Sequence, residues 1–234
     1  MKDKEPQIPS KRDLEKWEII NHDLLDWLYS GVTGKMQIKG HNIIHEWSDY
    51  LDNQLCLEIG CGHGHHVQFS KPNKKHYLGL DINFKFLSEF IKRHSNYPLI
   101  LGDAYKLPFK SNSIPCAISV YNLEHLKHLK NSLTEVQRVL KPDGSFFAAV
   151  PAEGGLIYGL GRELTSKPYM EKKYGIDYDA IVKYEHCNSF LEIKKALTIH
   201  FEIKKIRYIP FSFLPTYHLN AFVCFNMKNN KLNN

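Results

Sequence analysis

Residues 57–69 read LEIGCGHGHHVQF, with glycines at Gly60, Gly62 and Gly64, histidines at His63, His65 and His66, and an acid, Glu58, two places before the first glycine. Closely spaced glycines let a bulky ligand approach the backbone, and a helix start behind them offers free N–H groups. The histidines raise a metal as the rival reading. Zinc wants three or four ligands converging in a tetrahedron. Three imidazoles within four consecutive positions, on a turn entering a helix, point apart. A helix N-terminus also disfavours added positive charge. These histidines are therefore expected to be neutral neighbours of the glycine loop, with no metal. Two further histidines have the chemistry of a general base. His125 lies in YNLEHL beside Glu124, and His186 lies in YEHCN.

Chemistry at these residues needs elements that bring them together. QLCLEIG, HYLGLD, PLILGD, PCAISVYN and GSFFAAVP are short apolar runs that read as buried strands. Between them, NFKFLSEFIKRH has Asn83 as a cap and Phe84, Leu87, Phe90 and Ile91 as a helical stripe. SLTEVQRVL has Ser132 and Glu135 at capping-box spacing, and KPDG after it stops the helix. Buried strands alternating with helices predict a parallel sheet covered on both faces, with the ligand outside the carboxyl ends of the strands. Glu58 to Gly64, Asp81, Asp103 and His125 all lie at or just after such ends. A carboxylate at Asp81 suits a ribose diol. The glycine spacing is G-x-G-x-G rather than the dinucleotide G-x-G-x-x-G, which counts against NAD.

As a set, residues 55–151 resemble the class I S-adenosylmethionine-dependent methyltransferases. LEIGCGHG is similar to their glycine motif, LGLDIN to their ribose motif and LGDAYKLPF to their adenine motif, while ISVYNLEHL and EVQRVLKPDGSFFAAVP are similar to later segments. The resemblance implies an α/β, Rossmann-like, seven-stranded, mostly parallel sheet with helices on both faces and the last strand antiparallel. It implies S-adenosylmethionine as cofactor, with Gly60, Gly62 and Gly64 against its methionine part and Glu58 near its amino group. Asp81 would take the ribose hydroxyls and Ile82 would pack on the adenine. Asp103 and the Ala104 amide would meet the adenine edge, and Tyr121 would sit near the sulfonium. His125 and His186 are the candidate catalytic residues. Pro115-Cys116 departs from the family's usual acid there, and a buried structural cysteine is the expected reading.

Around this core, Leu14, Trp17, Ile20, Leu24 and Leu28 recur at helical spacing, SGVTGK reads as a connection, and HNIIHEWSDYL as a second helix. SFLEIKKALTIH is a helix with a Ser189–Glu192 capping box, followed by strands FEIKKIRYI and LNAFVCFNM. The expected organisation is a disordered arm over 1–11 and one domain over 12–228. That domain has N-terminal helices over 12–51 and an inserted lid over 152–188. A frayed tail over 229–234 ends the chain. Residues 208–226 contain no Asp, Glu, Lys or Arg and read as a buried loop and strand, with peripheral membrane contact as the alternative. Pro210 and Pro215 break that stretch too early for a membrane span.

The five cysteines are odd in number and form no CxxC pair, which predicts a reducing compartment, the cytoplasm by default. The net charge of +6 is spread over separate segments, unlike a nucleic-acid-binding face. The expected activity is methyl transfer to a small-molecule acceptor, an oxygen of a sugar, lipid or other metabolite. Methylation of nucleic acid or protein, or cofactor binding without catalysis, are the alternatives. Oligomeric state is not legible.

Overall fold

The computed structural model describes residues 8–49 and 54–230. The expected arm over 1–7, the end of the second predicted helix at 50–51 and the tail over 231–234 lie outside the described residues, as does the side chain of Leu24. Seven strands form one sheet in the order β3-β2-β1-β4-β5-β7-β6. They are β1 (Cys56–Ile59), β2 (Tyr77–Asp81), β3 (Leu99–Leu101), β4 (Ile114–Val120), β5 (Leu140–Pro151), β6 (Phe201–Ile209) and β7 (Phe222–Asn229). β1 to β5 pair in parallel, and β7 runs antiparallel to both β5 and β6. Strand order reverses between β1 and β4, so the crevice of an open α/β sheet opens there.

Alternation along β5 shows how the two faces are covered. Phe146, Ala148 and Val150 join a core with α5 (Leu129–Val139) and α9 (Phe190–His200). Phe147 and Ala149 face the other way, onto Ile43, Ile44 and Trp47 of α2 (Gly31–Asp49). On that second side, Val67 of α3 (His65–Ser70) packs with Leu87 and Phe90 of α4 (Phe84–Arg93). The outer members of the α4 stripe do not join them: Phe84 is 69% and Ile91 58% exposed, because a short helix on one sheet edge buries only a narrow strip.

The segment expected as a lid forms α6 (Leu156–Leu164), α7 (Ser166–Tyr174) and α8 (Tyr178–Glu185). It has a core of its own. Met170, Ile176, Tyr178, Ile181 and Val182 pack with Leu14, Trp17, Ile20, Trp27 and Leu28 of α1 (Lys11–Leu28), and Trp27 stacks on Tyr169 at 4.3 Å between ring centroids. The N-terminal helix thus shares a core with this segment.

Several local expectations are corrected. Lys11, assigned to the arm, already begins α1. SGVTGK is not a connection but the first turns of α2, tightly joined to α1: a Cβ on Gly34 would lie 2.2 Å from the Tyr29 carbonyl. Ser132 and Glu135 do not cap α5, which starts earlier, at Leu129. Ser132 is buried, and Glu135 instead pairs with Arg138 and accepts from the Leu107 amide. The chain does not fray at Asn229, which is buried and donates to the carbonyls of Gln137, Leu140 and Lys141. The loop before β7 is not buried: Phe213 is 77% exposed, and Phe211, Leu214 and Leu219 are also on the surface. It folds around buried Asn220, whose amide holds Phe211 N and the carbonyls of Leu214 and Thr216 at 2.8–2.9 Å, so polar bonds rather than apolar contact shape it. Beside it, α6 exposes Leu156, Leu160 and Leu164 at one-turn spacing.

Candidate active site

Each strand end contributes a part. After β1 the chain turns through Gly60, Gly62 and Gly64, all with positive φ. Gly60 has no room for a side chain, since a Cβ would lie 2.2 Å from Asn122 Cγ. A Cβ on Gly62 would meet nothing within 4 Å. Gly64 caps α3 and packs against Phe90 and His94, away from the crevice. Asp81, at the end of β2, is 8% exposed and ties the turn together: its carboxylate accepts from Gly62 N and Asn83 N, both at 2.8 Å. Burial raises its pKa, and those two backbone donors oppose the rise.

Glu58 is buried and accepts a hydrogen bond from the Tyr77 hydroxyl. Burial pushes its pKa up to about 8, against the Tyr77 hydrogen bond and reinforced by Asp81. The linkage sign follows: the folded state keeps a proton that the unfolded carboxylate loses from about pH 4.5, so stability falls as pH rises towards about 8. Glu58→Gln is expected to reduce that slope, so that urea stability falls less between pH 5 and pH 8 than in the wild type, while Glu124, which burial also raises to about 7, keeps part of it. An unchanged slope would show that Glu58 ionises freely in the folded protein.

A cavity of about 350 Å³ runs from this turn to the lid. Glu58, Gly60, Gly62, Asp81, Tyr121, His125 and His186 are on its wall; Gly64, Ile82, Asp103 and Ala104 are not among its lining residues. Ile82 is 68% exposed, and the Asp103 side chain accepts from Tyr105 N in the turn after β3. Tyr121 has φ of 54°, and its hydroxyl donates to the Gln37 carbonyl of α2, so its ring braces α2.

The three glycine-loop histidines each meet a different neighbour, while the rings of His63 and His65 lie 6.0 Å apart. His63 stands edge-on to Phe86, His65 stacks on Tyr29, and His66 lies 3.3 Å from His41, Nδ1 to Nδ1. Burial and neighbouring His45 lower His66 to about 3, so it is neutral near pH 7. Among the described residues, no group of three or more His, Cys, Asp or Glu is placed to hold a metal.

The two candidate bases, 61 positions apart in sequence (186 − 125), meet with ring centroids 4.8 Å apart. Asn188 makes this juncture: its side chain donates to the carbonyls of Leu123 and Leu126, and its amide donates to the Glu124 carbonyl. Asn188→Ala is expected to cost about 1–3 kcal/mol in urea unfolding, since it removes two side-chain hydrogen bonds to partly buried carbonyls; a loss within experimental error would show that the juncture is held elsewhere. His186 Nδ1 is 2.6 Å from Glu153 Oε2. His125 Nδ1 lies 3.0 Å from the Glu185 carbonyl, and its side chain is 39% exposed. Glu124 is 2% exposed on the cavity wall.

Sequence reasoning missed several lining residues. Tyr29 ends the stretch read as the first helix, Gln37 lies between the expected connection and the second helix, and His41 opens that helix; no motif marks them. Glu153 did carry a signal: it is the first acid after β5, a strand end like the others.

A family model described as a methyltransferase domain matches residues 57–148, the stretch that builds β1 to β5 and the glycine turn. These residues carry a methyltransferase domain of the class I S-adenosylmethionine-dependent type. The seven-stranded sheet with β7 antiparallel is the one expected of that family. A phthiotriol/phenolphthiotriol dimycocerosates methyltransferase of Mycobacterium tuberculosis is 32% identical over 45% of this chain and 41% of its own length. A fatty-acid O-methyltransferase of Mycolicibacterium smegmatis is 31% identical over 41% of this chain and 36% of its own length. The chain thus matches less than half of each curated relative. A crystal structure from Thermotoga maritima, described as a possible histamine N-methyltransferase, superposes with a TM-score of 0.60 at 18% identity, covering 92% of this chain and 99% of that one. The turn fits the methyltransferase cofactor, S-adenosylmethionine: Gly62 leaves open space on the cavity wall, Asp81 lies beside it, and the nearby Glu58 carboxyl is buried. No helix among the described residues is long and apolar enough to cross a membrane.

Proposed function

We propose that this protein transfers a methyl group from S-adenosylmethionine to an oxygen of a small, amphiphilic acceptor held under the lid. The observation that carries this reading is the single cavity continuous from Gly60, Gly62 and Asp81 to His125 and His186. When bound, S-adenosylmethionine supplies an electrophilic methyl on a cationic sulfur. The chain's own residues then have to align the acceptor and exclude water.

In this reading Asp81 takes the ribose hydroxyls, and Glu58 faces the cofactor's amino group, ionising as that positive charge arrives. Gly60 and Gly62 carry the backbone along the methionine part, while Gly64 fixes α3 behind them. Ile82, Asp103 and the Ala104 amide border the adenine, and Tyr121 sets α2 near the sulfonium. The lid over 152–188, with α1 packed on it, selects the acceptor. Ile157, Tyr158, Ile181 and Val182 give its cavity face apolar contact area, which supports an acceptor with an apolar body. The exposed Leu156, Leu160 and Leu164 on α6, and Phe211 and Phe213 in the loop before β7, support the same class of acceptor and contact with a lipid surface. The two mycobacterial relatives named above modify lipids by their descriptions, one of them at oxygen. Five cysteines, none in a disulfide, support a reducing compartment such as the cytoplasm.

The test is transfer of labelled methyl into a fractionated cell extract, run beside calorimetry with S-adenosylhomocysteine. Label is expected in the organic-soluble fraction, as an ether or ester. Label only in protein or nucleic acid would overturn the acceptor class, and cofactor binding with no label in any fraction would overturn the activity.

A further inference from the structure

We propose that His186, positioned by Glu153, removes the proton of the acceptor hydroxyl, and that the buried carboxyl of Glu124 holds that acceptor beside it. This rests on the methyl-transfer reading above and selects between its two candidate bases.

The geometry favours His186. Its Nδ1 is committed to Glu153 at 2.6 Å, so Nδ1 carries the hydrogen and Nε2 keeps its lone pair for a substrate proton. Both partners are largely shielded, with side chains 18% and 23% exposed. Each is locked from behind. His186 ends α8, and its amide donates to the Val182 carbonyl at 2.8 Å. Glu153 leaves β5, and its carbonyl accepts from Phe190 N. The following Gly155 is wedged so closely that a Cβ would lie 2.3 Å from the Tyr217 carbonyl. A carboxylate fixed in this way stabilises an imidazolium as it forms. His125 lacks that support: its Nδ1 faces a backbone carbonyl, the Glu185 carboxylate is 3.9 Å away, and the ring is open to solvent.

Glu124 supplies the second observation. It is 2% exposed, it lines the cavity, and its Oε2 has no hydrogen-bond partner among the described residues. A buried oxygen without a partner is destabilising, and native proteins keep few of them. A polar group of the acceptor would satisfy it. Burial holds Glu124 up to about 7, while His186 opposes that rise, so near neutrality the carboxyl can donate as well as accept.

The charged and titratable groups around His186 are Glu153 at the end of β5, Glu124 and His125 in the turn after β4, Glu185 on α8 and Arg162 on the α6 wall. Burial pulls the imidazole down, but the Glu153 hydrogen bond and the charges of Glu153, Glu124 and Glu185 outweigh it, leaving its pKa above the ordinary value. Activity should therefore fall as pH drops through that raised pKa.

The step balances. The acceptor oxygen–carbon bond forms as the carbon–sulfur bond breaks, and that electron pair stays on sulfur as a neutral thioether. The hydroxyl proton passes to His186 Nε2, while Nδ1–H still donates to Glu153.

The experiment pairs NMR titration of the His186 ring with pH profiles of label transfer into the organic-soluble fraction, for wild type, Glu153→Gln, Glu153→Asp, Glu124→Gln and His186→Gln. Affinity for S-adenosylhomocysteine checks that each variant is folded. Glu153→Gln should lower the His186 pKa and move the acid limb of kcat down with it. Glu153→Asp should restore part of both. His186→Gln should lower kcat by about a hundredfold or more. Glu124→Gln should raise KM more than it lowers kcat. An unchanged His186 pKa in folded Glu153→Gln, or His186→Gln turnover within about threefold of wild type, would overturn the assignment. Wild-type protein that binds S-adenosylhomocysteine and labels nothing would overturn the methyl-transfer reading instead, and the base with it, even with the NMR shift intact.

Discussion

Asp81→Ala is expected to weaken S-adenosylmethionine binding by about 3–6 kcal/mol, more than a hundredfold in Kd, in a protein that still folds. The magnitude comes from two charge-assisted hydrogen bonds to the ribose hydroxyls, each contributing about 1.5–3 kcal/mol. The carboxylate has a second task that adds to the loss. It accepts from Gly62 N and Asn83 N at 2.8 Å, so it also holds the glycine turn against the end of β2. Alanine leaves both donors without their acceptor. Asp81→Asn keeps one carbonyl oxygen for the turn but removes the charge, and should fall between wild type and alanine. Calorimetry with S-adenosylhomocysteine reads the effect, and a folded Asp81→Ala of wild-type affinity would remove Asp81 from the site.

Gly60→Ala is expected to be the most damaging single-methyl change in the crevice. At φ of 75° a Cβ costs about 1–2 kcal/mol in the backbone alone. The added carbon would also lie 2.2 Å from Asn122 Cγ. Asn122 cannot retreat freely, because its amide donates to the Ile59 carbonyl and to Ser119 Oγ, both at 3.3 Å. Losing those bonds brings the total to about 3 kcal/mol or more, a fall in Tm of about 10 °C for a chain of this size. Gly62→Ala is the informative contrast. With φ of 51° it also carries the backbone cost, but its Cβ meets nothing within 4 Å. It should lose about 1–2 kcal/mol of stability, less than Gly60→Ala, and much cofactor affinity. Equal losses of stability in the two variants would show that the contact with Asn122 is unimportant.

The pattern of apolar runs ending in glycine or acid was enough to recognise the sheet, because β1, β2, β4 and β5 must be apolar to sit between two helical layers; β3, expected to be buried, is at the sheet edge and only partly so, with Leu101 57% exposed. The same pattern picked out Glu58, Gly60, Gly62 and Asp81, which line one cavity because the strands they follow end at one edge. The two closing strands and the Ser189–Glu192 capping box were legible for similarly local reasons.

Other features depended on contacts between distant segments. Two glycines suggested a connection at 30–35, yet the chain there is helical because packing of α2 on β4, β5 and β7 outweighs weak local propensity. Gly64 looked like part of the ligand loop by spacing, and only the approach of Phe90 and His94 places it against α4. The apolar side of α1 is satisfied by α8, far away in sequence. The acceptor end of the cavity is assembled in the same way, from Glu124 after β4, Glu153 after β5 and His186 after α8, with Asn188 fastening the first region to the last. A local pattern records which side a residue must bury or present. Which two such sides meet is settled by shape and by hydrogen bonds that exist only once the chain is folded.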